Sequence, residues 1–368
     1  MLKTAIFPGR YVQGEGALDH LGSEAAKLGD SGLAILDEFA MENLKSRIEA
    51  TLKGAGSYTL SKFGGECSDE EINLHIDEAK ASSAKVIIGI GGGKGLDVAK
   101  AVAHNLGLPV INVPTLASTD APTSALSVIY TPSGEFDRYM VLPRNPNVIL
   151  VDSKIIAEAP VRFFKAGIAD ALATYFEAED CRPTQASNMT GNTGPMTAHG
   201  LAKLCYNVLL EDGVSACTAC SQGVVVPALD NVIEANTLLS GLGFESGGLA
   251  AAHAIHNGLT MLDETHHYYH GEKVSIGVLS QLWLTGRPRS LIDEVYEFCR
   301  AIGLPTTLKE IGLEKVTDEQ LKVVADRACE DGETIHNTSF AVTPDMVIAA
   351  IKVADAEGQR LNEVGSNY

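Results

Sequence analysis

Histidines are concentrated in one short segment of this chain. Five of the ten histidines fall within eighteen consecutive residues, namely His253, His256, His266, His267 and His270. The first two are three positions apart in a helix-like run, so they project in neighbouring directions on one helix face. Imidazole is the commonest protein ligand of divalent transition metals. A lone histidine on an apolar helix is usually a core residue, but this density predicts a metal site.

A catalytic metal takes about three protein ligands and leaves one position open. The histidines can supply two ligands, and the best candidate for a carboxylate ligand is Asp170 in the run AGIADALATYFEAE. Asp170 falls on the apolar side of a predicted helix, beside Ile168 and Leu172. Burying a carboxylate without a partner is very costly, so either a cation or a buried ion pair must accompany it. From these residues alone, the metal is only modestly favoured over the ion pair.

A second chemical signal lies in Val86–Asp97, VIIGIGGGKGLD. A buried strand runs into three consecutive glycines, and a helix is expected after Lys94. The glycines let a ligand approach the backbone, and the helix N-terminus offers free N–H groups to a phosphate. A ligand-free turn is the alternative, but three glycines beside a lysine favour a phosphate or pyrophosphate site. The spacing fits neither a P-loop nor the G-x-G-x-x-G fingerprint.

The first half of the chain alternates short apolar runs with helical patterns. Five runs predict strands, at Gly32–Leu36, Tyr58–Phe63, Val86–Ile90, Val110–Val113 and Val148–Val151. Continuous apolar strands separated by helices predict a parallel sheet covered on both faces. Ligands of such sheets bind at the carboxyl ends of the strands. Asp37, the glycine turn and the segment after Val113 all lie at such ends.

Beyond Ala159-Pro160 helical signals dominate. Ser290 is predicted to cap a helix that Gly303 ends, and Thr317 with Gln320 predicts a capping box. In the first half, Ser68 likewise predicts an N-cap, and Val128–Thr131 before Pro132–Ser133–Gly134 predicts a hairpin. The expected fold class is an α/β N-terminal Rossmann-like parallel-sheet domain (1–155) followed by an all-α helical domain (156–368).

Composition narrows the classes of partner. The 368 residues are 45% hydrophobic and carry a formal net charge of −19, which argues against nucleic acid and anionic membranes as partners. The N-terminal residues lack a signal-peptide core, and no run is long enough to span a bilayer. Seven scattered cysteines fit reduced thiols, so a cytoplasmic location is expected. Cys217 and Cys220 form a CxxC that is interpreted as ordinary helix residues.

Several strings together resemble the metal-dependent, iron-containing alcohol dehydrogenase family, whose fold is shared with dehydroquinate synthase. They are FPGRYVQG, GGECSDEEI, GIGGGKGLDVAKA, PTLASTDAPTSALSVIYT, GEFDRY, GIADALATYFEA, GFESGGLAAAHAIHNGL and HHYYHGEKV. Any one of them alone is weak evidence. Spread over the whole chain, the combination is very specific.

The resemblance implies particular site residues. The metal ligands would be Asp170, His253 and His270, the last selected by its HGE context, with Asp120 touching the substrate. NAD contacts would be Asp37, Gly92, Gly93, Lys94, Gly95, Leu96, Asp97, Thr115, Leu116, Ala117, Ser118, Ser124, Leu126 and Tyr130. Asp37 would accept hydrogen bonds from the adenosine ribose, and its charge would disfavour NADP. Gly95 departs from the pattern, since many relatives carry a hydroxyl residue there.

The resemblance also implies an activity. An NAD-dependent enzyme would oxidise glycerol and related vicinal diols to dihydroxyacetone, by hydride transfer from a metal-bound alkoxide to a nicotinamide beside Asp120. Zinc is the expected metal, with ferrous iron as the alternative, and the chain is expected to form a homo-oligomer, such as an octamer. His256 would orient water or substrate, whereas His266, His267 and His336 receive no role.

Other activities stay open at this point. A different polyol could be the substrate, or the chain could be a lyase of the dehydroquinate synthase type. A phosphorylated substrate would require basic residues, and near His253 and His270 the sequence offers only Lys273. A non-catalytic metal- or nucleotide-binding protein is harder to reconcile with two complete sites.

Overall fold

The computed structural model describes residues 2–365 and the side chains of residues 2–363. Contacts divide the chain into two units. The sheet unit comprises residues 6–164 and 218–241. The helical unit comprises the described residues of segments 1–5, 165–217 and 242–368.

A six-stranded parallel sheet forms the centre of the sheet unit, with strand order β1-β8-β5-β4-β2-β3. Its strands are β1 (Tyr11–Gly14), β2 (Ser31–Leu36), β3 (Ser57–Lys62), β4 (Val86–Gly91), β5 (Val110–Pro114) and β8 (Val148–Asp152). The predicted strands are confirmed. β1 was not predicted, because four half-buried residues at a sheet edge contain no continuous apolar run. The hairpin is also confirmed, as β6 (Leu126–Tyr130) and β7 (Phe136–Val141) pair antiparallel.

Helices cover the sheet. They are α1 (Leu21–Ala25), α2 (Glu38–Asn43), α3 (Lys45–Leu52), α4 (Asp69–Ala81), α5 (Gly93–Leu106), α6 (Ser153–Glu158) and α9 (Pro227–Glu234). The Ser68 cap is confirmed, since its side chain accepts a hydrogen bond from the Glu71 N–H. α5 begins at Gly93, so the expected start after Lys94 is wrong. The backbone of Gly92 is extended and already serves as the N-cap.

The helical unit contains all or most of each of the remaining helices, which are α7 (Val161–Thr184), α8 (Met196–Ser221), α10 (Ser240–Gly247), α11 (Ala251–Leu259), α12 (His270–Leu284), α13 (Arg289–Ile302), α14 (Asp318–Ala328) and α15 (Pro344–Gly365). The capping box of Thr317 and Gln320 is confirmed. The Ser290 cap is wrong. The N–H groups of Leu291 and Ile292 donate to the Pro288 carbonyl, so the helix begins earlier and Ser290 lies in its first turn.

The fold class is confirmed as a parallel-sheet region followed by helices. The division into units differs from a single boundary at residue 155, because the sheet unit runs to Phe164 and includes segment 218–241. This segment carries α9, which packs against β1 and α6. Gln13 on β1 donates to the Asp230 carbonyl at 2.8 Å. Within residues 2–365 no helix has the length and apolar character needed to cross a membrane.

Candidate active site

Three side chains of the helical unit converge on one point. Asp170 comes from the middle of α7, His253 from the first turn of α11, and His270 is the first residue of α12. The Nε2 atoms of His253 and His270 lie 3.3 Å and 3.1 Å from the same Asp170 Oδ1. Their ligand atoms all lie within 4.8 Å of one another. The structure thus brings together the three residues that the sequence analysis expected to bind a metal.

Close packing of two helices places His270 beside Asp170. Gly271 follows His270, and a Cβ atom on Gly271 would lie 1.8 Å from the Ala166 carbonyl oxygen. Ala166 is one turn before Asp170 on α7. Only a residue without a side chain lets the start of α12 approach the α7 backbone so closely.

Glu177 holds His253 in place. It lies two turns after Asp170 on α7, and its Oε2 is 2.5 Å from His253 Nδ1. Its Oε1 accepts hydrogen bonds from the backbone N–H groups of Ala250 and His253, at 2.9 Å and 3.0 Å, and so caps α11. A carboxylate on Nδ1 fixes the tautomer that leaves Nε2 with a lone pair for a metal.

The electrostatics of the group follow from burial and charge. Asp170 is only 3% exposed, and burial opposes its ionisation, but the imidazoles of His270 and His253 hold the pKa of this carboxyl well below its usual range. Burial works against the protonated form of His253, yet Glu177 and Asp170 raise the pKa of this imidazole well above its usual value. The two buried carboxylates therefore favour positive charge at this point, which suits a cation.

The donor set fits a divalent metal. One carboxylate oxygen and two imidazole nitrogens are the mixed ligands that zinc and ferrous iron accept. Three protein ligands leave room for a substrate oxygen. Among the described residues this is the one group of three or more acidic, histidine or cysteine side chains with such mutual distances.

The other histidines for which the sequence suggested or left open a role either line the metal group or lie away from it. The His256 ring is 4.2 Å from the His270 ring, and burial together with His270 and His253 lowers the pKa of His256 well below its usual value. A neutral imidazole therefore lines the group. His266, His267 and His336 are exposed, and none belongs to the group.

Residues 332–337, with the sequence GETIHN, have a structural role that the sequence did not reveal. Thr334 Oγ1 donates to the Ala250 carbonyl at 2.7 Å, and Asn337 Nδ2 donates to the Leu249 carbonyl at 2.8 Å. These two residues hold the segment that leads into α11 and its His253. They position a candidate ligand without touching it.

In the sheet unit, Asp37 joins the first helix after β2 to the glycine turn. Its Oδ1 accepts from the Ala40 N–H at 2.8 Å and its Oδ2 accepts from the Gly92 N–H at 3.0 Å. Burial raises the pKa of Asp37, whereas the two backbone N–H groups oppose that rise. Gly91 must be glycine, since a Cβ there would lie 2.6 Å from the Asp37 carboxyl carbon.

Gly92 and Gly93 differ from Gly91. Cβ atoms on these two residues would meet protein atoms only at ordinary contact distances of 3.5–3.6 Å. Protein packing therefore does not demand glycine there, and the space that a Cβ would fill is open at the start of α5, where helix N–H groups suit an anion. Lys94 beside them lies 2.6 Å from Glu66 and stands over the Tyr130 ring.

Some of the expected NAD contacts point into the protein. Leu96 is 1% exposed and packs in the core. Asp97 is buried, with its Oδ1 2.9 Å from Lys100 Nζ and its Oδ2 accepting from the Val128 N–H. Gly95 is buried against Phe63. Gly95, Leu96 and Asp97 therefore pack against the protein interior beneath the glycine turn and do not line its open face.

The other expected contacts lie on the segments after β5. Thr115 N–H donates to the Gly91 carbonyl at 3.1 Å, which ties this segment to the glycine turn. Two buried polar side chains hold this segment. Asn236 Nδ2 donates to the Ala117 carbonyl, and Lys100 Nζ donates to the carbonyls of Ser124 and Leu126. Leu116 and Ser118 are partly exposed. The Asp120 Oδ2 accepts from Ser240 Oγ at 2.7 Å.

Sequence reasoning missed several residues of these sites. Glu177, Glu66 and Ser240 each contact an expected site residue directly, and Lys100 supports the segment beside them. Only Glu177 left a signal, since its separation of seven from Asp170 places both acids on one face of a helix. The partners of Glu66 and Ser240 are 28 and 120 residues away along the chain, so no local pattern indicates them.

Comparison with known proteins agrees with these observations. Residues 8–153 match the family described as iron-containing alcohol dehydrogenase. The chain is 56% identical over 361 residues to a glycerol dehydrogenase of Thermotoga maritima, covering 98% of each chain. It is 51% identical to a glycerol dehydrogenase of Escherichia coli, covering 96% of each. The crystal structure of glycerol dehydrogenase from Schizosaccharomyces pombe superposes with a TM-score of 0.94 at 39% identity, covering 99% of this chain and 93% of that one.

Identity at this level over nearly the full length establishes common descent and a common fold. The relatives are oxidoreductases, and the Asp170, His253 and His270 group gives this chain the donors for a metal. The chain belongs to the iron-containing alcohol dehydrogenase family.

Proposed function

We propose that this enzyme oxidises glycerol and related vicinal diols with NAD, forming dihydroxyacetone from glycerol. Bound NAD would supply the acceptor for the hydride of the secondary carbon of glycerol, and the hydroxyl proton would pass to solvent. The convergence of Asp170, His253 and His270 on one point carries the proposal. The similarity to proteins named glycerol dehydrogenase supports the choice of substrate.

Asp170, His253 and His270 would hold the metal. A divalent metal bound there lowers the pKa of a coordinated hydroxyl and stabilises negative charge on its oxygen. Glu177 would accept a hydrogen bond from His253 Nδ1–H, which leaves the Nε2 lone pair for the metal. His256 stays neutral and adds no positive charge beside the ligands. Zinc is the metal we propose, with ferrous iron as the alternative.

The glycine turn would bind the pyrophosphate of NAD. Gly92 and Gly93 leave the start of α5 open, and its N–H groups suit phosphate oxygens. Asp37 would accept the ribose hydroxyls through lone pairs that its two backbone bonds leave over. A second negative charge, the extra phosphate of NADP, would be repelled there. The rest of the cofactor would contact the partly exposed Leu116, Ser118 and Tyr130, with Thr115 beside them.

Asp120 would contact the substrate. Its carboxylate accepts a hydrogen bond from Ser240 at 2.7 Å, which restricts its orientation. None of the seven cysteines, all of which lie in the described part of the chain, forms a disulfide, which supports a cytoplasmic location. The family resemblance supports a homo-oligomer, such as an octamer.

The test is NADH formation by purified enzyme. We expect turnover with glycerol, propane-1,2-diol and butane-2,3-diol, and none with glycerol 1-phosphate. A chelator should abolish the activity and zinc should restore it. Asp170→Asn should lower kcat/KM about a hundredfold or more, because the metal contributes several kcal/mol to transition-state stabilisation. Glu179→Gln, on the same helix, should retain activity. Full turnover after complete metal removal would refute the proposal.

A further inference from the structure

The helical unit contains a cavity that is separate from the group of Asp170, His253 and His270. It has a volume of about 160 Å³, and its lining includes Lys3, Arg182, Gln185, Thr193 and His199. None of Asp170, His253 and His270 lines it. The proposed reaction therefore makes no use of this cavity.

The lining has an unusual charge. It contains a lysine, an arginine and a histidine but no aspartate or glutamate, in a chain with 47 acidic and 28 basic residues. The acid paired with this set is Glu179, whose Oε1 lies 3.8 Å from Arg182 Nη1. The Arg182 side chain is 62% exposed, so this pair is weak. A positive cavity in an acidic protein indicates attraction for an anion.

His199 adds an unsatisfied polar atom. Its Nδ1 is buried and has no hydrogen-bond partner among the described residues. Burial, followed by the charges of Arg182 and Lys3 and only partly offset by Glu179, lowers the pKa of His199. Both cations are therefore close enough to repel a proton from this ring. Leaving a buried nitrogen unpaired costs free energy, which a ligand hydroxyl that donates to its lone pair would recover.

The start of a long helix lies at the same cavity. α8 spans 26 residues from Met196, and its first-turn residues Met196 and His199 are both part of the lining. The N-terminal end of a helix carries a partial positive charge and N–H groups without helical partners. Here this feature adds to the two cations and the unpaired imidazole nitrogen.

We propose that this cavity binds a small oxyanion, either inorganic phosphate or the phosphate group of a small phosphate ester. Arg182 and Lys3 supply charge, the start of α8 adds its partial positive charge, and the lone pair of His199 Nδ1 accepts a hydrogen bond from a P–OH group of the anion. The cavity has a volume of about 160 Å³ and opens to solvent, so it has room for a phosphate group with a short chain.

Calorimetric titration of the zinc-loaded enzyme with inorganic phosphate tests the site. Saturating NAD is present throughout, so that the glycine turn is not available to phosphate. Glycerol 3-phosphate is titrated in a second series. The variants are Arg182→Gln and Lys3→Gln, which change exposed side chains, with Lys315→Gln as a charge-matched control on the same unit.

We expect one phosphate per chain, and an affinity that each of the two cavity variants lowers about tenfold, as for the loss of a charge-assisted hydrogen bond. Lys315→Gln should bind like the wild type. Tighter binding of glycerol 3-phosphate would identify an ester as the ligand, and equal affinity would identify free phosphate. No binding to the wild type, or binding that Arg182→Gln and Lys3→Gln leave unchanged, would overturn the proposal.

Discussion

At the scale of single residues, the role of Glu177 shows how a buried acid can act through another side chain. It touches neither substrate nor any expected metal position, yet it contacts His253 at Nδ1 and at the backbone. The same carboxylate therefore sets the orientation of the imidazole and the position of the helix that carries it. Partners of this kind affect metal affinity because they restrict the ligand to one orientation and one tautomer.

Replacing Glu177 by glutamine should weaken zinc binding about 10–100-fold, because a neutral amide supports the His253 imidazole less well than a carboxylate does. Competition with a chromophoric chelator measures the zinc dissociation constant. Glu179→Gln is the matched control on the same helix and should bind zinc like the wild type. An unchanged zinc affinity in Glu177→Gln, with the unfolding of the metal-free protein also unchanged, would contradict this positioning role.

A second residue-scale prediction concerns the choice of cofactor. Asp37→Asn removes a charge where we propose that the adenosine ribose binds, while keeping one oxygen for a backbone N–H. We expect the ratio of kcat/KM for NAD to kcat/KM for NADP to fall about tenfold or more, since repulsion of the extra phosphate is lost. The neighbouring exposed acid in Glu38→Gln should leave the ratio unchanged. An unaltered preference in Asp37→Asn would place the ribose elsewhere.

At the scale of elements, the metal group depends on how closely α12 approaches α7. The contact of Gly271 with the Ala166 carbonyl allows the approach, and the side chains of His270 and Asp170 meet as a result. A similar dependence holds in the sheet unit. There Lys100 of α5 contacts Asp97 and the carbonyls of Ala121, Ser124 and Leu126, so one buried cation holds the segment after β5.

Gly271→Ala should therefore separate the two helices. An added Cβ would overlap the Ala166 carbonyl oxygen, and relieving that overlap should cost about 1–3 kcal/mol of unfolding free energy. Zinc affinity should fall as well, because His270 moves with the start of α12. Denaturant unfolding and zinc titration measure the two effects.

Gly200 provides the control for that substitution. It lies in α8, and a Cβ there would have open space within 4 Å. Gly200→Ala should leave zinc affinity unchanged and stabilise the protein by up to about 1 kcal/mol, the difference in helix propensity. If Gly271→Ala behaved like Gly200→Ala, close helix packing would not be what places His270.

At the scale of the whole molecule, the candidate metal ligands all belong to the helical unit, whereas the glycine turn belongs to the sheet unit. Metal binding should therefore stabilise the helical unit specifically. At a free zinc concentration a hundred times its dissociation constant, we expect about 2.7 kcal/mol of stabilisation. Scanning calorimetry of metal-free enzyme with and without zinc measures it.

If the two units unfold in separate transitions, zinc should raise only the transition of the helical unit. Asp170→Asn should show no zinc-dependent increase, because its carboxylate ligand is lost. An equal increase in wild type and Asp170→Asn would mean that zinc stabilises the protein from another position.

Local sequence patterns predicted most of the strands and helices discussed above. Alternating apolar runs and helices specify a parallel sheet, because a strand that is buried on both faces must be apolar throughout. The three consecutive glycines predicted an open turn at the start of α5, and Gly92 and Gly93 do leave open space there. The short edge strand β1 and the start of α13 escaped prediction, since their signals are weak and their conformations depend on distant partners.

Only the tertiary structure decided which polar side chains meet. Asp170 and His270 are a hundred positions apart, and their contact depends on helix packing at Gly271. His266, His267 and His270 are equivalent by spacing, yet only His270 reaches Asp170, because it alone begins a helix packed against α7. The cavity that we propose to bind an oxyanion is lined by Lys3, Arg182 and His199, which no local pattern connects. Periodicity is a property of neighbouring residues, whereas a site is assembled by long-range packing, and therefore the sequence predicted the elements better than the contacts between them.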